Sequence, residues 1–395
     1  MSRTYMALLG SLALGACGAR TGLSLDVVGR DAGTDDAAAH DGGPSVSLDA
    51  GVRFDAGVLP PLDRPFVQIR AGRDHTCALD EDGRVLCWGD NRNRELALDV
   101  VVGDSLVPVP IDVPPTVALD AGHDQSCGID VDGRLWCWGT VGPDGTTTGP
   151  APMSGLGDVV DVGVGSASVC TLGTRSNVLC GGELGARDGA WSERVTRGAR
   201  MVSVGSNHAC ALVDADVRCF GHNPTGELGV PPFIGAPWEG APTTVPGVRD
   251  PTSVSAGFDH SCASTEGELY CWGSNALGQL GIEGIGNGVP PTPVPGLDGA
   301  EVVESGWSVT CAIRRGELWC WGDGSRGQLA VGAWFGAHPP VRVELPGPVR
   351  AVTVGVNHTC AIDGDGRPWC WGYNTRGQLG DGTRDDRTRP VPVRL

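Results

Sequence analysis

Seven times along the chain, two short apolar runs meet at a polar turn with one cysteine in each run, as in Cys360-Ala361-Ile362-Asp363-Gly364-Asp365-Gly366-Arg367-Pro368-Trp369-Cys370-Trp371-Gly372. Apolar runs joined by a Gly-bearing turn predict a β-hairpin, and cysteines placed symmetrically about the turn fall opposite one another in antiparallel register. The pairs are Cys77 with Cys87, Cys127 with Cys137, Cys170 with Cys180, Cys210 with Cys219, Cys262 with Cys271, Cys311 with Cys320 and Cys360 with Cys370. Each reads as a disulfide across its own hairpin, closing a loop of only nine or ten residues. The units recur 40 to 52 residues apart, and self-similarity at that period outranks the two or three domains that 395 residues would otherwise suggest.

Paired cysteines persist in oxidising compartments and not in the cytosol, so the chain is expected to be exported. Residues 1–17 supply the means: Arg3 is a short basic region, Met6 to Leu14 an apolar one, and Leu14-Gly15-Ala16-Cys17 ends in small residues and the fifteenth cysteine. This stretch resembles a bacterial lipoprotein signal, too short to span a bilayer. The resemblance implies lipidation of Cys17 and a membrane-anchored lipoprotein of the cell envelope, at the outer membrane or cell surface; the alternative is an ordinary secretory signal with a free Cys17. Residues 18–65 repeat Asp-Ala-Gly three times, hold Phe54 as their single aromatic and lack periodicity, so they read as a disordered acidic tether.

From Phe66 to the end, each unit follows one plan. Glycine stands five residues before the first cysteine in all seven (Gly72, Gly122, Gly165, Gly205, Gly257, Gly306, Gly355) and two after the second, as at Gly89 and Gly372. Proline-bearing extended segments such as Pro291-Thr292-Pro293-Val294 separate the units, and proline is tolerated in edge strands. Four short strands per unit and no helical periodicity predict an all-β, seven-bladed β-propeller over residues 66–395. Because side chains alternate along a strand, Trp369 and Trp371 should turn away from the Cys370 face and pack on the neighbouring blade, as should Trp136, Trp138, Trp319 and Trp321. The last strand, Pro390-Val391-Pro392-Val393, is expected to pair beside residues 66–90 and close the ring.

Ala-Gly-x-x-His-x-Cys-Ala followed by Cys-Trp-Gly-x-Asn-x-x-Gly-Gln-Leu-Gly resembles the repeat of the regulator of chromosome condensation family, most closely in residues 256–281 and 354–380. Unit two departs at Gln125 and in its ending, and unit three replaces a Trp by Gly181, so looser packing is expected there. The resemblance implies a propeller, and by family name guanine-nucleotide exchange on a Ran-type GTPase and chromatin binding. Export and the acidic N-terminal segment argue against both.

Composition and motifs narrow the chemistry. The chain has no lysine among 29 basic residues and a formal charge of −18, which excludes lysine-based catalysis and disfavours nucleic acid. His75, His208, His260 and His358 each stand two residues before a first cysteine; a metal site is one reading, structural hydrogen bonds to turns the favoured one. Asp80-Glu81-Asp82-Gly83, Asp130-Val131-Asp132-Gly133 and Asp363-Gly364-Asp365-Gly366 resemble fragments of calcium loops, but Asp-Gly also suits a hairpin turn. No catalytic residue, cofactor or metal is assigned. The expected function is a non-enzymatic, monomeric binding or scaffold module with a protein, peptide or glycan partner, touching membrane only through its anchor. The alternative is a polysaccharide hydrolase or lyase at the central channel, which needs paired axial carboxylates; the weakly patterned insertions at 92–106, 230–246 and 331–340 hold few acids to build them.

Overall fold

A computed structural model describes residues 64–98, 103–141, 147–186, 190–233 and 241–395; Cys17 and the signal and tether assignments lie outside them. The described residues belong to one compact unit, Pro60–Leu395. They form seven four-stranded antiparallel sheets, each built from four consecutive strands, which is the predicted seven-bladed propeller. Blade one is β1 (Phe66–Ala71), β2 (His75–Asp80), β3 (Val85–Gly89) and β4 (Ser105–Pro110); blade seven is β25 (Val349–Val354), β26 (His358–Asp363), β27 (Pro368–Gly372) and β28 (Arg387–Pro392).

All seven disulfides form within blades. Cys77 bonds Cys87, Cys127 bonds Cys137, Cys170 bonds Cys180 and Cys210 bonds Cys219; Cys262 bonds Cys271, Cys311 bonds Cys320 and Cys360 bonds Cys370. Each bridge joins residues directly opposite on the second and third strands, with Cα atoms 4.1 Å apart. In the chain-entropy account, a loop of about ten residues contributes roughly 2.5 kcal/mol per bridge. The three Asp-Gly turns are settled by their own amides: one oxygen of Asp80 accepts from Asp82 and Arg84 at 3.1 and 2.9 Å, and Asp130 and Asp363 repeat the pattern. Gly83, Gly133 and Gly366 follow at φ of 83, 78 and 82°. The carboxylates therefore complete turns, and no group of metal-ligating side chains occurs among the described residues.

The core lies between blades. Cys77 and Cys87 of blade one share a buried cluster with Trp138 of blade two, Cys262 and Cys271 with Trp321, and Cys360 and Cys370 with Trp88. The disulfide face of each of these blades thus receives the aromatic face of the next, as the alternation predicted. Trp369 is 9% exposed, and Trp319 packs against the same cluster as Trp321.

Ring closure differs from expectation. β28 pairs with Trp369, Cys370 and Gly372 of its own blade, not with residues 66–90. The first blade needs no outside strand because its proline-bearing segment follows it in sequence and supplies β4. Closure instead uses the contacts found at other junctions: the Trp88 indole donates to the Gln378 carbonyl at 2.9 Å, the Phe66 amide to the Gly366 carbonyl at 2.9 Å and the Gly382 amide to the Leu106 carbonyl at 3.0 Å. The stretch 331–340 is also no free insertion, since β24 (Phe335–Val343) occupies much of it and pairs with β23 (Glu317–Gly324).

Candidate functional site

The repeated histidines are latches between blades. His75 Nε2 lies 2.8 Å from Ser126 Oγ, His208 2.7 Å from Ser261, His260 2.8 Å from Thr310 and His358 2.9 Å from Thr76, always a hydroxyl of the following blade. Three of those hydroxyls donate to a main-chain carbonyl that also accepts a Trp indole: Ser261 and Trp272 meet at Glu227, Thr310 and Trp321 at Gln279, Thr76 and Trp88 at Gln378. With the hydroxyl proton so committed, Nε2 must donate, so a neutral ring carries its proton there and leaves Nδ1 bare. Burial agrees, pushing His75 down to about 4 and the other three to about 3. Where the sequence suggests bonds to turns, the partners are side chains across a blade junction.

The glycines five residues before the first cysteine are spaced by the same junctions. A Cβ on Gly72 would stand 2.2 Å from the His75 ring and 2.4 Å from the Gly122 carbonyl, and the contact with the next blade's glycine carbonyl continues round the ring until Gly355 meets Gly72 at 2.6 Å. Seven glycines thus form a tight collar around the axis. The residue after each, Arg73, His123, Ser166, Ser206, Phe258, Trp307 and Val356, stands at the axial mouth around a cavity of about 100 Å³. Several are pinned by backbone bonds to the adjacent blade, with the Phe258 amide donating to Gly306 at 3.0 Å and Arg73 to His123 at 3.1 Å.

The mouth is chemically lopsided. On one side Phe258 and Trp307 stack with centroids 3.6 Å apart and planes 18° from parallel, and Trp307 stays 36% exposed. Across the axis the His123 ring faces Trp307 at 6.4 Å, tilted by 32°. Arg73 beside it reaches Asp124 at 3.0 Å and Asp74 at 3.4 Å.

Beneath the collar, the inner strands turn charged side chains into the lumen. Arg70 bonds Asp120 at 3.3 Å; the two are enclosed by the blades yet face the lumen, keeping side-chain exposures of 29 and 22%. Burial pushes Asp120 up to about 7 and raises Asp161 and Glu304 above the usual carboxylate range. Burial opposes the Arg70 charge too, but Glu304, Asp120 and Asp161 outweigh it and hold the guanidinium protonated. Sequence reasoning sought axial acids in the insertions and missed these. The signal was available two residues before the collar glycine, where Arg70, Asp120 and Glu304 replace the Ser203, Ser255 or Thr353 of other units.

The mouth shares its face with the loops joining third to fourth strands, because in an antiparallel blade both connections fall at the same end. Main-chain bonds tie them together: Asp90 to Asp74, Ser274 to Asp259 and Tyr373 to Asn357, each at 2.9 Å. Within those loops, an Asn after the Trp-Gly or Phe-Gly pair accepts the amide of the buried Leu five residues on, at 3.2 Å for Asn91, 2.9 Å for Asn223 and 3.0 Å for Asn275 and Asn374. The loops carry exposed Phe233, Leu277, Ile285 and Trp334, whereas the opposite face presents short Asp-Gly turns and the exposed valines 67, 117, 131 and 160.

A family model described as RCC1-like domain matches residues 33–395. No curated protein sequence matches the chain. Among solved structures, Prp20p of Saccharomyces cerevisiae is 18% identical, covering 84% of this chain and 77% of its own at a TM-score of 0.52. Human WBSCR16 is 18% identical, with coverages of 85 and 83% and a TM-score of 0.52. The CRINKLY WD40 ectodomain of the Arabidopsis thaliana receptor kinase ACR4 is 18% identical, with coverages of 84 and 99% and a TM-score of 0.51.

Proposed function

The chain belongs to the RCC1-like domain family, and from that premise we propose that it is a non-enzymatic binding module, exported, lipid-anchored at Cys17 and held off the membrane by residues 18–65. The observation that carries the reading is the division of labour between side chains. Repeated polar groups, the latch histidines, their hydroxyl partners and the Trp indoles, are consumed in blade junctions. The irregular, exposed side chains collect on the loop face, and loops on a rigid scaffold are where specificity resides. Prp20p has binding properties to Gsp1p and histones; a protein or peptide partner is the corresponding expectation here, and an oxidising compartment removes a cytosolic GTPase from consideration.

A hydrolase or lyase at the channel is the second reading, and Asp120, pushed up to about 7 by burial, is the observation in its favour. Against it, Arg70 is bonded to Asp120. The axial cavity of about 100 Å³ is also small beside the roughly 300–1,000 Å³ of small-molecule sites. The test is capture from native envelope extract with the full-length protein, repeated after exchanging residues 231–241 for a Gly-Ser loop of equal length. The partner should be lost while the melting temperature holds. Undiminished capture would overturn the loop-face reading, and polysaccharide cleavage abolished by Asp120→Asn would establish an enzyme.

A further inference from the structure

We propose that the axial mouth is a receptor for a single arginine side chain of a basic partner, its guanidinium entering between Trp307 and His123 above the carboxylates of the lumen. The inference rests on the loop face being the binding face and says which chemistry its centre accepts.

Three independent features of the site converge. The first is the gap. Trp307 and His123 stand 6.4 Å apart, approaching twice the 3.6 Å at which Trp307 stacks on Phe258, and the 32° tilt opens the space as a wedge. One flat group fills such a wedge by lying on the indole face, and guanidinium is the flat cation that stacks on aromatic rings. Phe258 backs the indole, so the outer Trp307 face is already held in place before anything binds.

The second is charge. Asp74 and Asp124 flank Arg73 of the mouth, Asp259 follows Phe258 in sequence, and Asp120, Asp161 and Glu304 surround Arg70; the positive groups facing these six carboxylates are Arg70, Arg73, Arg92 and Arg376, with His123 3.4 Å from Asp124. Arg73 is engaged by Asp74 and Asp124 and lies 3.4 Å from His123 Nδ1, at the edge of that ring, and Arg70 is engaged by Asp120. Asp259 faces no cation among the described residues: burial and the neighbouring Glu227 push it up to about 6. Glu304 answers only to Arg70, which also serves Asp120 and Asp161. Enclosed carboxylates in excess of the cations are stabilised by one further positive charge, and most strongly where water is scarce.

The third is size. A cavity of about 100 Å³ takes the head of one side chain and not an oligosaccharide, whose sites are several times larger. The collar of seven glycines prevents widening, because each Cα already abuts the carbonyl of the next blade.

The experiment titrates the full-length oxidised protein by calorimetry with acetyl-Gly-Arg-Gly-amide, its Glu counterpart and chitotetraose, and repeats the Arg titration on Trp307→Ala and Glu304→Gln. The Arg peptide should bind at least tenfold more tightly than the Glu peptide, and each variant should weaken it at least fivefold. Trp307 is exposed, so its removal should leave thermal unfolding unchanged; should Glu304→Gln fail to fold, Trp307→Ala still decides. Equal binding of the two peptides overturns the proposal. So does Arg binding untouched by Trp307→Ala, which would report the overall negative charge alone, and so does chitotetraose binding that Trp307→Ala abolishes. Failure here with loop-dependent capture intact would remove the arginine receptor and leave the binding module standing.

Discussion

The junction between blades seven and one and the junction between blades three and four meet the same requirement with different chemistry. At the first, one carbonyl, that of Gln378, accepts both the Thr76 hydroxyl and the Trp88 indole, while His358 donates to Thr76. At the second, the histidine is Ser168, the hydroxyl is Ala209 and the indole is Phe220. An apolar cluster of Phe220, Leu184, Val202, Val204, Ala209 and Ala211 with the Cys170 and Cys180 bridge holds it instead. Arg194 bonds the Leu184 and Gly185 carbonyls at 2.6 and 3.1 Å and lies 5.9 Å over the Phe220 ring. Ser168 takes the Leu184 amide at 3.0 Å, the task of the loop Asn elsewhere. The difference shows that each latch histidine comes with a hydroxyl on the following blade, whereas a hydroxyl can stand without a histidine. A buried imidazole without its hydroxyl would carry an unpaired donor, costing about 1–3 kcal/mol.

Blade three also shows how a missing Trp is replaced. Trp191, just before its outer strand, lies over Gly181, with ring carbons 3.4 Å from where a Cβ would stand. The looser packing expected there is thus largely averted, although a cavity of about 380 Å³ remains beside Asp158, Thr171 and Asn177.

Breaking the comparison at its strongest point gives the largest effect. Trp88→Ala removes a fully buried indole and one donor from Gln378, and should cost about 3–5 kcal/mol. Trp191→Ala removes a half-buried filler and should cost about 1–2 kcal/mol. Urea unfolding of the two variants measures the ratio, and equal losses would mean that the junctions are energetically alike.

Acid should weaken the latched junctions. His208 is held neutral in the fold with its pKa lowered to about 3, whereas the unfolded chain takes a proton near 6.5. Stability present above pH 6.5 is therefore lost as pH falls towards 3, by about 2 kcal/mol per histidine between pH 7 and 5. Asp120 and Asp259, raised to about 7 and about 6, move oppositely because the folded state takes those protons first. The diagnostic is a difference: the stability gap between the protein and His208→Gln should shift by about 2 kcal/mol against the histidine over that interval, and a constant gap would sink the neutral latch.

The smallest effect sharpens the comparison by repair. Junction six to seven keeps a hydroxyl without a histidine, with Thr359 donating to the Gln328 carbonyl at 3.0 Å beside Val309. Ala209→Ser would place a hydroxyl at the matching position in blade four, and should raise stability by about 0.5–1 kcal/mol in thermal unfolding. A loss would show that the dry junction has no acceptor within reach.

The fold was legible because its determinants are local and repeated: cysteine spacing places the hairpins, Asp-Gly the turns, and Trp beside Cys the two faces of a blade. Closure was misread because a free terminal strand in sequence says nothing about which edge it meets; β4 had already covered the edge in question. The axial site was hidden for a related reason. Arg70, Asp120 and Glu304 lie 50 to 234 residues apart in one unit position otherwise held by Ser, Thr or Gly. Comparing units column by column exposes them, whereas scanning the chain for motifs does not. Trp307 and Phe258 likewise became a pair only when the collar brought two turns together.

Because every sheet is assembled from one uninterrupted stretch of chain, no blade depends on a strand borrowed from the far end. The seam between first and last blades is then a boundary like any other, crossed by side chains and a few amides but by no shared ladder. Such a ring has no privileged starting point. A circularly permuted gene that began at Pro251 and joined Leu395 to Arg64 through a short spacer would encode the same seven modules and the same seven seams. Modules could likewise be gained or lost by duplication without rewriting any closing strand.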